Sequence, residues 1–166
     1  MKQYTISKGA RSTGSSFKPH FNKKSLTYLV KCKSLNTYQD VIIEQRNTNS
    51  LFGLTYGMDS IGFSFNIKDE YMYVYGYHKQ GNVDDIVFIT KCLIDSWYYL
   101  GFEIEKGIIR FTVHTFKRKT KASSSITLNK TLIPFGVYTY PNLNKNYKAP
   151  VELNFLMADY TKILNA

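Results

Sequence analysis

Four tyrosines, Tyr71, Tyr73, Tyr75 and Tyr77, recur at every second position of the run EYMYVYGYH. Successive side chains of an extended strand point to opposite faces, so all four rings leave one face and Met72, Val74 and Gly76 take the other. Tyrosine offers an apolar ring with a polar tip at low entropic cost, which suits stacking on a sugar ring or anchoring a protein interface. The same rings could instead pack across strands as an aromatic ladder. A second constellation lies in WYYLGFEIEKGIIRFTVHTF, Trp97 to Phe116, where two apolar runs flank Glu105-Lys106-Gly107 and read as a β-hairpin. Its first arm sends Tyr98, Leu100, Phe102 and Ile104 to one face and Trp97, Tyr99, Gly101 and Glu103 to the other. The second arm sends Ile109, Phe111 and Val113 to the core side and Arg110, Thr112 and His114 to a mixed side. If the tyrosine strand and the hairpin share a sheet, Trp97, Tyr99, Arg110 and His114 extend the tyrosine face into one platform. The expected ligand- or partner-binding residues are thus Tyr71, Tyr73, Tyr75, Tyr77, Trp97, Arg110 and His114.

Other candidate chemistry is thinner. His20, His78 and His114 show neither HxH nor HExxH spacing, so no metal is expected. Glu103 and Glu105 alternate onto one face, as the paired carboxylates of a glycosidase must, but Glu105 belongs to the turn and a solvated strand end explains the pair better. There is no GxSxG, no phosphate-binding glycine loop and no Cys-His spacing, so the reading is of a non-enzyme without cofactor. Lys117, Arg118, Lys119 and Lys121 stand near aromatic residues, a combination used on single-stranded nucleic acid. Without an RNA-recognition or OB-type motif beside it, this run reads as solvated charge.

These residues need strands to hold them. The 166 residues suit one domain, and 14 Tyr with 11 Phe favour pleated, half-buried surfaces over helices. No apolar run approaches the roughly 20 residues of a membrane-spanning helix. Turn signals recur about every 8 to 12 residues, the rhythm of sandwiches and barrels. Expected strands cover 25–33, 38–45, 51–56, the alternating SIGFSFNI with Ile61, Phe63, Phe65 and Ile67 inward, EYMYVYGYH, 85–90, the hairpin, 126–132, 135–140, 151–157 and 161–164. Residues 117–125 read as a basic, serine-rich loop. The first 24 residues, with a short strand at Tyr4 to Ile6 and a Gly/Ser-rich basic run, read as an arm ahead of a domain over 25–166. Lys8, Arg11, Phe17 and Lys18 would dock that arm, on its own domain or on another subunit. Cys32 and Cys92 are too few for a disulfide framework and sit in strand-like runs. The amino terminus has no apolar h-region, so synthesis and folding in a reducing cytoplasm are expected.

The order SLTYLVKCK, DVIIEQRN, LFGLTYG, SIGFSFNI and WYYLGFEIEKGIIRFTVHT resembles that of concanavalin-like or laminin-G-like jelly-roll domains, over residues 25–116 with Val151 to Leu164 as a closing strand. The Asp-Gly that commonly follows the family's hairpin is replaced by Lys117 to Lys121. The resemblance implies an all-β, antiparallel two-sheet β-sandwich and a glycan- or protein-binding role. It also raises calcium ligation by Asp69-Glu70 and Asp84-Asp85, although these pairs read as strand-end turns.

The formal net charge of +10 invites a negatively charged partner, but most of it is lysine and only four arginines offer a planar fork. A basic, aromatic-rich sandwich with a basic arm looks like an accessory head, fibre or tail component of a phage particle. Its partners would be other protein subunits of an assembly and a glycan. A stand-alone carbohydrate-binding module is the alternative, and a nucleic-acid binder the remaining one.

Overall fold

A computed structural model describes residues 1–14, 17–20, 23–33, 49–81, 83–129, 134, 136–143, 149 and 152–161. Among them the chain forms β1 (Lys2–Ile6), β2 (Phe17–Pro19), β3 (Ser25–Lys33), β4 (Ser50–Tyr56), β5 (Asp59–Lys68), β6 (Tyr71–Gln80), β7 (Val83–Leu93), β8 (Tyr98–Glu105), β9 (Ile108–Thr115), β10 (Thr120–Thr127), β11 (Gly136–Asn142) and β12 (Leu153–Asp159). All pair antiparallel, in two six-stranded sheets. The first sheet runs β1-β12-β3-β8-β9-β10 and the second β2-β11-β4-β5-β6-β7. No helix among the described residues is long and apolar enough to cross a membrane. The expected strand at 38–45 and residues 162–164 of the expected last strand lie outside the described residues.

Alternation decides what is inside. Ile61, Phe63, Phe65 and Ile67 of β5 are wholly buried, as the period of two predicts. They meet the inward side chains of the first sheet: Phe63 lies edge-on to Phe111, centroids 5.4 Å apart, and Phe65 edge-on to Phe155 at 5.0 Å. The sheets pack closely where β6 carries Gly76, because a Cβ there would stand 2.5 Å from the Phe111 ring. Tyr28 of β3 crosses the core to the second sheet, where its hydroxyl and that of Thr139 lie 3.0 Å apart. The hairpin forms as expected, with Lys106 and Gly107 at positive φ (50° and 77°) closing a two-residue turn between Glu105 and Ile108.

Three expectations change. The first 24 residues do not form a separate arm: β1 pairs with β12 and contributes Tyr4 and Ile6 to the core, and β2 pairs with β11. Between them the chain is tied to Leu143 and Ala149, which follow β11, with Gly9 N–H donating to the Ala149 carbonyl, Ala149 N–H to that of Ala10 and Leu143 N–H to that of Arg11. The one segment thus supplies an edge strand to each sheet. The loop expected at 117–125 is shorter, because β10 begins at Thr120 and pairs with β9. Its inward Ala122 and Ile126 join the core, a weak apolar alternation masked in the sequence by the surrounding serines.

The third correction concerns the platform. The tyrosine strand β6 belongs to the second sheet and the hairpin β8–β9 to the first, so their outer faces point to opposite sides of the sandwich. Between them the chain changes sheets at residues 94–97, where Ile94 N–H donates to the Glu70 carbonyl, Asp95 N–H donates to that of Cys32, and Asp95 turns at φ 65°. Period-two alternation fixes which face of a strand is inward, not which sheet the strand joins.

Candidate functional site: an aromatic face on the second sheet

On β6 the four tyrosines share the outer face, as their spacing requires. Tyr71, Tyr73 and Tyr75 are half-buried and Tyr77 is 4% exposed. Their neighbours on β7 add rings and charge. Phe88, 52% exposed, lies opposite Tyr75 with centroids 5.5 Å apart and 6.3 Å from Tyr73. Lys91 Nζ sits 4.5 Å from the centroid of the Tyr71 ring. The strand on the other side, β5, lines the same face with polar groups, setting Ser64 opposite Tyr75, Asn66 opposite Tyr73 and Lys68 opposite Tyr71. Asn66 Oδ1 accepts a hydrogen bond from Asn49 Nδ2 at 3.3 Å, which holds that amide in place.

The ladder and the platform are therefore not exclusive. The rings do pack across strands, yet one row of them stays half open to solvent beside a row of hydroxyl, amide and ammonium groups. At about 3.3 Å per residue the row from Tyr71 to Tyr77 spans roughly 20 Å.

At the Tyr77 end the face deepens into a hollow of about 390 Å³. Phe17, Tyr77 and Tyr138 give it rings, and Thr55, Asp59, Ser60 and Lys79 give it polar walls. Tyr138 reaches its place over the paired strands β4 and β5, where Gly53 faces Gly62; a Cβ on either glycine would stand 3.0 Å or less from its hydroxyl. A smaller hollow of about 120 Å³ opens between Asn66, Lys68, Tyr73 and Tyr75. Phe17, expected to dock an arm, instead stands 53% exposed on this face. Phe88 and Tyr138 were not legible as site residues. Phe88 alternates with Ile86 like any strand pair, and Tyr138 sits in a Pro-, Gly- and Asn-rich stretch with no periodicity of its own.

Trp97, Arg110 and His114 lie on the opposite side of the molecule. Lys31 Nζ is 5.8 Å from the Trp97 ring, and Arg110 Nη1 donates to Glu103 Oε1 at 2.9 Å across β8 and β9. His114 Nδ1 lies 3.3 Å from Thr120 Oγ1, and burial holds its pKa below the ordinary 6.5, so it is neutral at pH 7. His78, by contrast, takes the inward face of β6 and is 3% exposed, with Nδ1 3.7 Å from Asp85 Oδ2. Among the described residues no group of three or more His, Cys, Asp or Glu could hold a metal ion. Lys8 and Arg11 are exposed on the segment joining the two edge strands, and Lys18 is exposed on β2.

No family model and no curated protein sequence matches the chain. Solved structures do. The CBM2 module of evolved Dit from Lactobacillus casei BL23 phage J-1 is similar with a TM-score of 0.57 at 10% identity, over 94% of this chain and 74% of that one. The alginate lyase from Klebsiella pneumoniae is similar with a TM-score of 0.59 at 8% identity, over 82% of this chain and 59% of that one. At such identities the likeness is one of fold, an antiparallel two-sheet β-sandwich.

Proposed function

We propose that the protein recognises a glycan chain through the outer face of its second sheet. The observation that carries this reading is the hollow of about 390 Å³ lined by the rings of Phe17, Tyr77 and Tyr138 together with Thr55, Asp59, Ser60 and Lys79. A sugar ring has an apolar C–H face and a rim of hydroxyls, so it needs an aromatic surface with convergent donors and acceptors beside it. The row of half-open rings leading away from the hollow suits a chain better than a single sugar. The fold shared with a phage CBM2 module and with a lyase of alginate supports the reading. Jelly-roll kinship with concanavalin-like and laminin-G-like domains is part of it.

In this reading the protein is a non-enzymatic accessory component of a phage particle, made in the host cytoplasm and carried on the virion. It docks on other subunits through the edges offered by β1 and β2, the exposed Lys8 and Arg11 between them and Lys18 on β2. Deleting residues 1–24 is a poor test of docking, because it removes two strands and the buried Tyr4 and Ile6.

Affinity electrophoresis through gels containing individual polysaccharides tests the recognition itself. The wild-type protein should be retarded by at least one polymer. Phe17→Ala and Tyr75→Ala should each weaken that retardation about tenfold or more, since aromatic anchors at hot spots are worth about 2 kcal/mol or more. Both variants should keep the wild-type circular dichroism. Absence of retardation by any polymer, or retardation unchanged in both variants, overturns the reading.

A further inference from the structure

The outer face of the first sheet carries its own hollow, of about 280 Å³, lined by Thr27, Gly101, Glu103, Arg110, Thr112 and His114. Three adjacent strands build it. On β8 the outward positions alternate Tyr99, Gly101, Glu103, and the missing side chain at Gly101 is what opens the floor. A Cβ there would stand 2.7 Å from Thr27 Oγ1 on β3. On β9 the outward residues Arg110, Thr112 and His114 face Glu103, Gly101 and Tyr99 in register. The groups around the hollow therefore come from rigid, paired strands rather than from loops, which fixes their spacing.

The chemistry around it is mixed in a specific way. Arg110 contacts Glu103 through one nitrogen, although a guanidinium carries five N–H donors. Both side chains are about half exposed, at 56% and 51%, so the remaining donors of Arg110 and the second oxygen of Glu103 are within reach of a ligand. Thr112 adds a hydroxyl, and His114 adds an imidazole that is neutral at pH 7. Donors and acceptors thus alternate around a single cation. Glu103 would repel a doubly charged phosphate about twice as strongly as a singly charged carboxylate, and a polyol supplies the hydroxyl donors that its free oxygen accepts. A volume just below the roughly 300 Å³ lower limit of ligand clefts admits one ring-sized unit.

We propose that this hollow is a second site, separate from the aromatic face, for a single carboxylate-bearing saccharide unit, with Arg110 holding the carboxylate and Glu103, Thr112 and His114 the hydroxyls. It lies on the other side of the sandwich and does not depend on glycan binding by the second sheet.

The test is an NMR titration of the full chain with sodium glucuronate, glucose and inorganic phosphate in turn, following the Arg110 Nε–H and the His114 ring signals. Glucuronate should shift these signals saturably. Arg110→Gln should weaken that response about tenfold or more, the worth of a hydrogen bond to a charged group. Because Arg110 is more than half exposed, this variant should keep the wild-type fold, and His114→Gln provides a second perturbation of the same site. Glucose should bind about tenfold more weakly than glucuronate, and Tyr75→Ala should leave the glucuronate response unchanged. Glucose as strong as glucuronate, phosphate as strong as glucuronate, an undiminished response in Arg110→Gln, or no shift at tens of millimolar each overturns the assignment.

Discussion

Truncating Phe111 to alanine should lower the unfolding free energy by about 3–5 kcal/mol, the range for deleting a buried phenylalanine. The site argues for the upper end. Phe111 is wholly buried, edge-on to Phe63 at 5.4 Å and tilted against Phe102 at 5.8 Å. Across the core it lies over Gly76, which has no side chain to move into the void. The cavity would therefore stay largely open, and its cost grows with the volume left unfilled. With total stability of about 5–15 kcal/mol for domains, the variant should be near its folding threshold. Urea unfolding at pH 7 should show a much lower midpoint with an unchanged slope. A loss below about 1 kcal/mol would mean that the two sheets do not meet at this contact. The contact matters beyond stability, since β6 carries the outward tyrosines and β9 carries Arg110 and His114.

Alkaline instability is the second large effect. Burial raises the Tyr28 phenol from 10 to about 12 and the Cys92 thiol from 9 to about 12, and it also raises Tyr4 and Tyr56. In the unfolded chain these groups release their protons near ordinary values, so above about pH 9 the unfolded state binds fewer protons than the folded one. Stability is then fully present below pH 9 and falls as pH rises toward about 12. Each tenfold difference in proton affinity between the folded and unfolded chain is worth about 1.4 kcal/mol, so the loss is on the order of 3 kcal/mol for Tyr28 and about 4 kcal/mol for Cys92 at the top of that range. Urea midpoints measured from pH 8 to pH 11 should fall steadily, and Cys92→Ala should flatten the early part of the decline. A midpoint constant across that range would show that these groups are not buried as described.

Much of the fold could be read from residue order because the period of two is unambiguous where aromatic and β-branched side chains alternate. SIGFSFNI and the hairpin put Phe63, Phe65, Phe102 and Phe111 inward, and all four are buried. What alternation leaves open is partnership between strands. Nothing in the run from Leu93 to Trp97 announces that the chain crosses from one sheet to the other, so the tyrosines and the hairpin were expected on one platform and stand on two. The amino-terminal segment escaped for a different reason. Tyr4 to Ile6 is too short to outweigh the Gly/Ser-rich run that follows, and its place is set by pairing with β12, about 150 residues away in sequence. The candidate site was half legible: its tyrosine row follows from spacing, while Phe17, Phe88 and Tyr138 reach it only through register.

The central claim is that one face of one sheet, and not the ends or loops of the sandwich, meets the glycan chain. The most direct measurement is an NMR titration of isotopically labelled protein with an oligosaccharide of whichever polymer retards it. The expected shifts concentrate on Phe17, Tyr73, Tyr75, Tyr77, Phe88 and Tyr138, and with an oligosaccharide that carries no carboxylate the amides of the first sheet stay unmoved. Shifts confined to the loops, or to the first sheet alone, would contradict the claim.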